Sequence, residues 1–243
     1  MADDVQRVAG DDSTGHFVPD DVRPPAVDRV DRALLDRLAA MPGLTATASD
    51  VLDELGRPQV AAAGRIQPRV GSVAVGHAVT LRYLPARSSG LVAATRREPS
   101  RLGHHAAFGT GAPGDVLVVD SSHLPGASTF GGIAAHAALA AGFGGVVVDG
   151  AIRDLDEISE LGFGAWSAAV APTTGKWRLE AVSINAPIGC AGVQVHAGDL
   201  VLADATGVCF VPRESAERVI AEVMEVAERE SRQLHLGDVA AAG

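Results

Sequence analysis

A chain of 243 residues can bury a full core, but with 47% hydrophobic and only 4% aromatic content that core must be filled by small aliphatic side chains, helped by 28 glycines. The net charge of −10 and the lack of a Lys/Arg stripe argue against non-specific nucleic-acid binding; the densest basic cluster, Arg96, Arg97 and Arg101, reads as a solvated loop. The sole lysine, Lys176, lies in the loop Thr173-Thr174-Gly175-Lys176, which makes it a poor Schiff-base nucleophile, since that chemistry needs a desolvated amine.

Residues 1–26 are acidic, contain proline and show no periodicity, so they read as a disordered tail or an arm wrapping a neighbouring subunit. Residues 27–243 read as one domain. A helix is expected over Val27–Met41, with Val30, Leu34, Leu35 and Leu38 on one face and Pro42-Gly43 as its stop. Thr47–Asp50 then opens a short helix that buries Val51, Leu52 and Leu55 and ends at Gly56. Val73–Leu84 reads as extended, with His77 a satisfied strand histidine rather than a ligand.

Residues 85–113 are loop-rich, with a helical turn near Leu91–Arg96. His104-His105 invites a metal reading, but adjacent residues do not share a helix or strand face. Gly109–Gly114 matches G-x-G-x-x-G and is rejected as a dinucleotide site, because it precedes a strand instead of following one; Gly142–Gly145 fails for the same reason.

Val116–Val119 is an apolar run suited to a strand buried on both faces, ending in Asp120. Residues 121–130 follow as a loop. Ser121-Ser122-His123 hints at nucleophilic catalysis, yet no G-x-S-x-G elbow surrounds it, and a structural loop is the better reading. Gly131-Gly132-Ile133-Ala134 starts a helix of small residues, and bare N–H groups at such a start can hold an anion. Val146–Val148 is a second buried strand, ending in Asp149-Gly150, where glycine permits a sharp turn.

Just past that strand stand Arg153 and Asp154. Open α/β sheets place their ligands at the carboxyl ends of strands. Arg153 offers a fork of donors to a carboxylate, and Asp154 offers a hard oxygen to a divalent cation. The competing reading makes Asp154 a simple cap for the next helix, Leu155–Ile158. If strands 116–119 and 146–148 are neighbours, a carboxylate at Gly131–Ala134 would lie within reach of Arg153.

Strand-like pieces follow at Ala165–Ala168, Ala181–Ile184, Val193–Val195, Leu200–Ala203 and Gly207–Val211. A helix over Glu214–Leu234 closes the chain, with Val219, Ile220, Val223 and Val226 on its apolar face. Cys190 and Cys209 lack metal-site spacing and read as buried free thiols of a reducing compartment. With no signal segment and no long apolar stretch evident, a cytoplasmic location is expected.

An ordered series of segments resembles the RraA-like family, which includes the 4-hydroxy-4-methyl-2-oxoglutarate / 4-carboxy-4-hydroxy-2-oxoadipate aldolases. The series is Ser49–Gly56, Gly76–Thr80, Gly114–Asp120, Phe130–Gly132, Asp149–Asp154 and Gly198–Asp204, then Gly207 and Pro212; Asp-Gly-x-x-Arg-Asp is its sharpest part. The resemblance implies a swivelling-domain-like (phosphohistidine-domain-like) α/β sandwich, assembled as a trimer or hexamer with active sites between subunits. It implies Mg²⁺ or Mn²⁺ held by Asp154, a 2-oxo acid bound by Arg153, and its carboxylate cradled by the amides of Gly131, Gly132, Ile133 and Ala134. Retro-aldol cleavage and oxaloacetate decarboxylation would share one pyruvate enolate. A glutamate from a neighbouring subunit's terminal helix also reaches the site in this family; Glu228, or Glu230, matches it. There is one departure: the aldolases carry an acidic residue where this chain has Gly132; Asp120 and Asp149 are candidate proton relays in its place, with turn-forming or structural roles equally open to them. The family also contains non-catalytic regulators of an RNA-degrading endonuclease, which tend to lack the aspartate that this chain keeps at Asp154.

Overall fold

The computed structural model describes residues 10–11, 16–25, 28–57, 59–61, 64–71, 73–87 and 90–241. The chain begins with β1 (Gly10–Asp11) and β2 (Phe17–Val18), an antiparallel pair, and β3 (Asp21–Val22). Then come α1 (Arg32–Ala39), α2 (Leu44–Glu54), β4 (Gln67–Val70), β5 (Ala74–Pro85), α3 (Gly90–Thr95), α4 (His104–Phe108) and β6 (Val116–Asp120). The middle supplies β7 (Ser128–Phe130), α5 (Gly132–Ala140), β8 (Gly145–Ile152), α6 (Leu155–Glu160) and β9 (Gly164–Val170). The remainder adds β10 (Leu179–Ile184), the hairpin β11 (Ile188–Cys190) and β12 (Val193–Val195), then β13 (Leu200–Ala203), β14 (Val208–Val211) and α7 (Ala216–Ala241).

This is a mixed α/β domain around a mixed sheet of order β14-β13-β5-β6-β8-β9-β4. Its centre, β5-β6-β8-β9, is parallel, and the outer pairs are antiparallel. The parallel centre is why Val116–Val119 and Val146–Val148 read as continuous apolar runs: both faces of these strands are covered. One face carries α5 and α6, whose residues Ala134, Ala135, Ala138 and Ile158 meet Leu117, Val119, Val146 and Val148. The alanines let α5 come close to the sheet. The other face is closed by the β11–β12 hairpin and Trp166. A third cluster joins α1, α2 and α7 over β13 and β14. Burying each Val or Leu side chain contributes about 1.5–3 kcal/mol, so these three layers supply the main driving force.

The neighbouring of β6 and β8 agrees with the sequence reading. Three of the differing boundaries have a tertiary reason. β8 does not end at Asp149-Gly150 but runs to Ile152, because β7, hidden in the expected loop 121–130, pairs with it there. Gly150 serves close approach rather than a turn, since a Cβ on it would strike the Ser121 hydroxyl. α1 starts only at Arg32, because the Asp31 carboxylate caps Ala33 N–H at 2.8 Å and Val30 N–H is claimed by His77 Nε2 at 3.0 Å. α2 begins at Leu44 rather than Thr47, because Asp204, distant in sequence, accepts from both the N–H and the hydroxyl of Thr45 at 2.9 and 2.6 Å.

The last strand and helix fall where expected, with α7 extending to Ala241. In the segment read as a tail, Phe17 leans on the core and Asp21–Val22 adds to β10; residues 1–9, 12–15 and 26–27 lie outside the described residues. His77 is a satisfied strand histidine, with its second ring nitrogen on Gly198 O at 3.0 Å. Both cysteines are buried and free. No helix among the described residues is long and apolar enough to cross a membrane.

Candidate active site

The carboxyl end of β8, the start of α6 and the start of α5 converge on one small cavity. Asp154 stands at the N-cap of α6 with φ 56° and ψ 44°, a left-handed backbone uncommon for a residue with a Cβ. Its side chain does not cap α6. Instead, Oδ2 accepts the N–H of Gly132, the first residue of α5, at 3.1 Å. The side chain therefore caps the start of α5 and not the helix that follows it. The strained backbone aims the carboxylate at the positive end of another helix.

Arg153 Nε lies 3.4 Å from Asp154 Oδ2, and both side chains are about 40% exposed, at 38% and 40%. The N–H of Arg153 donates to Phe130 O at 3.0 Å, which fixes the turn. Gly131 is extended and unstrained, yet a Cβ there would crowd Asp154 Oδ2 at 2.6 Å and Arg153 Cγ at 2.9 Å. Glycine is needed for approach, not for torsion. Because Ala135 N–H takes the Gly131 carbonyl, the N–H groups of Ile133 and Ala134 have no acceptor within α5.

The cavity measures about 170 Å³ and is lined by Gly131, Ile133, Ala134, Arg153 and Asp154, all singled out from the sequence. Gly132, singled out with them, is not among the lining residues. A larger hollow of about 560 Å³ opens beside Phe17, Arg101 and Trp177, but its facing charges Arg101 and Glu180 neutralise each other at 2.8 Å.

Sequence reasoning missed four residues. Lys176, His104 and Thr129 line the same cavity. The Lys176 loop is brought there by Gly175 N–H to Ser128 O at 2.8 Å and by a strand bridge between Ser128 and Thr174. His104 is largely desolvated, and burial, followed by the nearby His105 and His16, lowers its pKa to about 3. The fourth is Glu157. A Cβ on Gly132 would land on the Glu157 carboxylate, which also sits 3.3 Å from His136 Nε2. An acid therefore does stand over position 132, supplied from α6.

Other candidates are structural. Asp149 is buried and accepts from Ala191 N–H at 2.7 Å, from Arg65 at 3.2 Å, and pairs with His123 Nδ1 at 2.8 Å. Asp120 accepts Ser122 N–H at 2.8 Å and lies 3.5 Å from Arg82. Neither lines the cavity. Ser121 Oγ donates to the Asp149 carbonyl, not to His123, so the Ser-Ser-His string builds no nucleophile. His105 stacks on His16, and among the described residues no three His, Cys, Asp or Glu gather as a metal cluster. Glu228 is exposed on α7 and does not reach the cavity of its own chain.

A single carboxylate is compatible with a hard, largely hydrated divalent cation. Mg²⁺ keeps several waters and accepts one or two carboxylates, and the half-exposed Asp154 offers one, with a single oxygen engaged by Gly132. A closed thiolate or imidazole site finds no support here.

The model of the RraA-like family (Aldolase/RraA) matches residues 45–210, and the chain belongs to that family. A Halalkalibacterium halodurans protein provisionally named 4-hydroxy-4-methyl-2-oxoglutarate aldolase is 33% identical over 127 residues, 52% of this chain and 60% of that protein. A Burkholderia mallei protein of the same provisional name is 37% identical over 95 residues, 39% of this chain and 57% of that one. The chain spans about half the length of the curated relatives it matches. Among solved structures, Streptomyces coelicolor RraAS2, described as an unusual member of the RNase ES inhibitor RraA family, superposes with a TM-score of 0.70 at 27% identity, covering 86% of this chain and 98% of that one. An uncharacterized Pseudomonas syringae protein gives 0.72 at 26% identity, covering 87% and 95%.

Proposed function

We propose that this chain is a divalent-metal-dependent lyase that cleaves a 2-oxo acid to pyruvate through its enolate, by retro-aldol cleavage, oxaloacetate decarboxylation or both. The observation that carries this is the diversion of Asp154 from its own helix to the start of α5, beside Arg153 and in one cavity with Lys176. The provisional aldolase names of two relatives point the same way.

Asp154 would hold Mg²⁺ or Mn²⁺ through one carboxylate oxygen, and the bound ion would supply Lewis acidity at the 2-oxo group. Ile133 and Ala134 N–H groups bind the substrate carboxylate at the positive end of α5. Arg153 steadies the developing enolate oxygen with its guanidinium fork. Glu157, paired with His136 beside Gly132, is placed to exchange protons with water at the rim.

The fold is of the swivelling-domain type in this reading, and the active unit is a trimer or hexamer. Ile133 is 76% exposed at the cavity rim and Leu139 46% exposed elsewhere on α5, apolar side chains open to a second copy. That copy would bring Glu228 to the site. Two buried free thiols suit a cytoplasmic protein. Arg153→Ala and Asp154→Ala test the reading: pyruvate release should fall more than about 100-fold in each, with the assembly intact. Wild-type release from both variants would remove the site. Binding to an RNA-degrading endonuclease in the absence of any turnover would favour the regulator instead.

A further inference from the structure

The hollow of about 560 Å³ beside Phe17 and Trp177 has the size of a small-molecule site, and the lyase chemistry makes no use of it. Its walls are tied to one another. Ala86 N–H donates to Arg178 O at 2.8 Å and Ala181 N–H to Arg101 O at 2.9 Å, which fastens the end of β5 and the loop after α3 to β10. Trp177 holds a left-handed backbone with φ 67°, uncommon for so large a side chain. Its indole N–H donates to Glu98 O at 2.6 Å, which fixes the half-buried ring in the wall. Backbone strain of this kind persists where the surroundings impose it, and it collects at ligand sites.

The charges of the hollow sort into committed and uncommitted ones. Arg101 pairs with Glu180 at 2.8 Å, and its guanidinium carbon lies 5.3 Å from the centre of the Phe17 ring. Arg87 and Glu98 line the same hollow, and among the described residues neither has an ion-pair partner. The fork of Arg87 suits a carboxylate, and Glu98 suits an ammonium group. The rings of Phe17 and Trp177 suit a large apolar side chain. A simple anion or a simple cation would leave one of the two free charges unmatched, whereas a zwitterion answers both.

We propose that this hollow is a second ligand site and takes a free α-amino acid with a large apolar side chain. Its carboxylate pairs with Arg87, its ammonium with Glu98, and its side chain lies against Phe17 and Trp177. The inference stands apart from the lyase reading, because the hollow shares no lining residue with the cavity beside Asp154. The two places touch at one point: Lys176, which lines that cavity, holds its ammonium 4.5 Å from the centre of the Trp177 ring.

The test uses L-phenylalanine and three relatives that each lack one feature: 3-phenylpropanoate the ammonium, phenethylamine the carboxylate, and glycine the side chain. Each is titrated calorimetrically into the full chain with no 2-oxo acid present. L-phenylalanine should bind, and each relative at least about tenfold more weakly. Arg87→Gln should weaken L-phenylalanine by about tenfold without weakening phenethylamine, and Glu98→Gln should weaken it by about tenfold without weakening 3-phenylpropanoate. Melting curves check that both variants are folded. L-phenylalanine should also shield the half-buried Trp177 from acrylamide quenching, while the fully buried Trp166 contributes no change. No binding of L-phenylalanine up to about 10 mM overturns the proposal. So does binding that 3-phenylpropanoate or phenethylamine equals, or L-phenylalanine bound as tightly by both variants as by the wild type.

Discussion

The Asp154 carboxylate serves a helix other than its own, accepting the N–H of Gly132 at 3.1 Å from a left-handed backbone with φ 56° at the head of α6. Two elements that approach the sheet from different parts of the chain are tied at this bond.

Asp154→Gly separates strain from chemistry. Glycine adopts positive φ without steric cost, which offsets the lost hydrogen bond. The melting temperature should stay within about 3 °C of wild type while turnover falls more than about 100-fold. Thermal melts and pyruvate assays on the same sample would check both. A large loss of stability would mean that the aspartate is chiefly structural.

Position 132 and Glu157 should be energetically coupled. Gly132→Glu would push aside the half-exposed Glu157 carboxylate and set two negative charges together, costing about 0.5–1 kcal/mol. Adding Glu157→Ala should recover most of that loss, so the double variant is less destabilised than the sum of the singles. Denaturant unfolding of the four proteins gives the coupling directly. Additive effects would show that the carboxylate does not occupy that space.

Asp204 links α2 to the β13–β14 turn. Burial pushes its carboxyl up, but the Thr45 hydroxyl, then the N–H groups of Thr45, Thr206 and Gly207, outweigh burial and hold it below the ordinary value. A depressed carboxyl stabilises the fold above its unfolded pKa of about 3.9, and that stabilisation is lost as pH falls through the lower folded value. Asp204→Asn should therefore cost on the order of 2–3 kcal/mol at pH 7, and the gap to wild type should shrink below about pH 4. Urea midpoints across pH would show it. A gap unchanged down to pH 2 would count against the charged hydrogen bonds.

Both thiols should be silent in the native protein. Burial, then the nearby Asp204 and Asp53, pushes Cys209 up to about 12; burial, then Asp149 and Asp120, drives Cys190 upward as well. A disulfide reagent at pH 8 should label neither in buffer and both in guanidinium. Fast native labelling would show that one of these elements opens.

The residues explain what could be read without coordinates. β6 and β8 were legible because strands buried on both faces carry unbroken valines, and Arg153-Asp154 because charge directly follows such a strand. α2's start was not, since its cap comes from Asp204, 159 positions away. Lys176, His104 and Thr129 carry no shared local signal; the Ser128–Thr174 bridge and the packing of α4 on α5 unite them. Glu157 was hidden by its ordinary place in the first turn of α6, where an acid needs no other reason.

The central claim is tested most directly by pyruvate release from oxaloacetate and from 4-hydroxy-4-methyl-2-oxoglutarate, in Mg²⁺ and then in EDTA, against protein-free blanks. The account predicts release that exceeds the blank, stops in EDTA and is absent in Asp154→Ala. Release unchanged by EDTA or by Asp154→Ala, or no release from either acid, would contradict it.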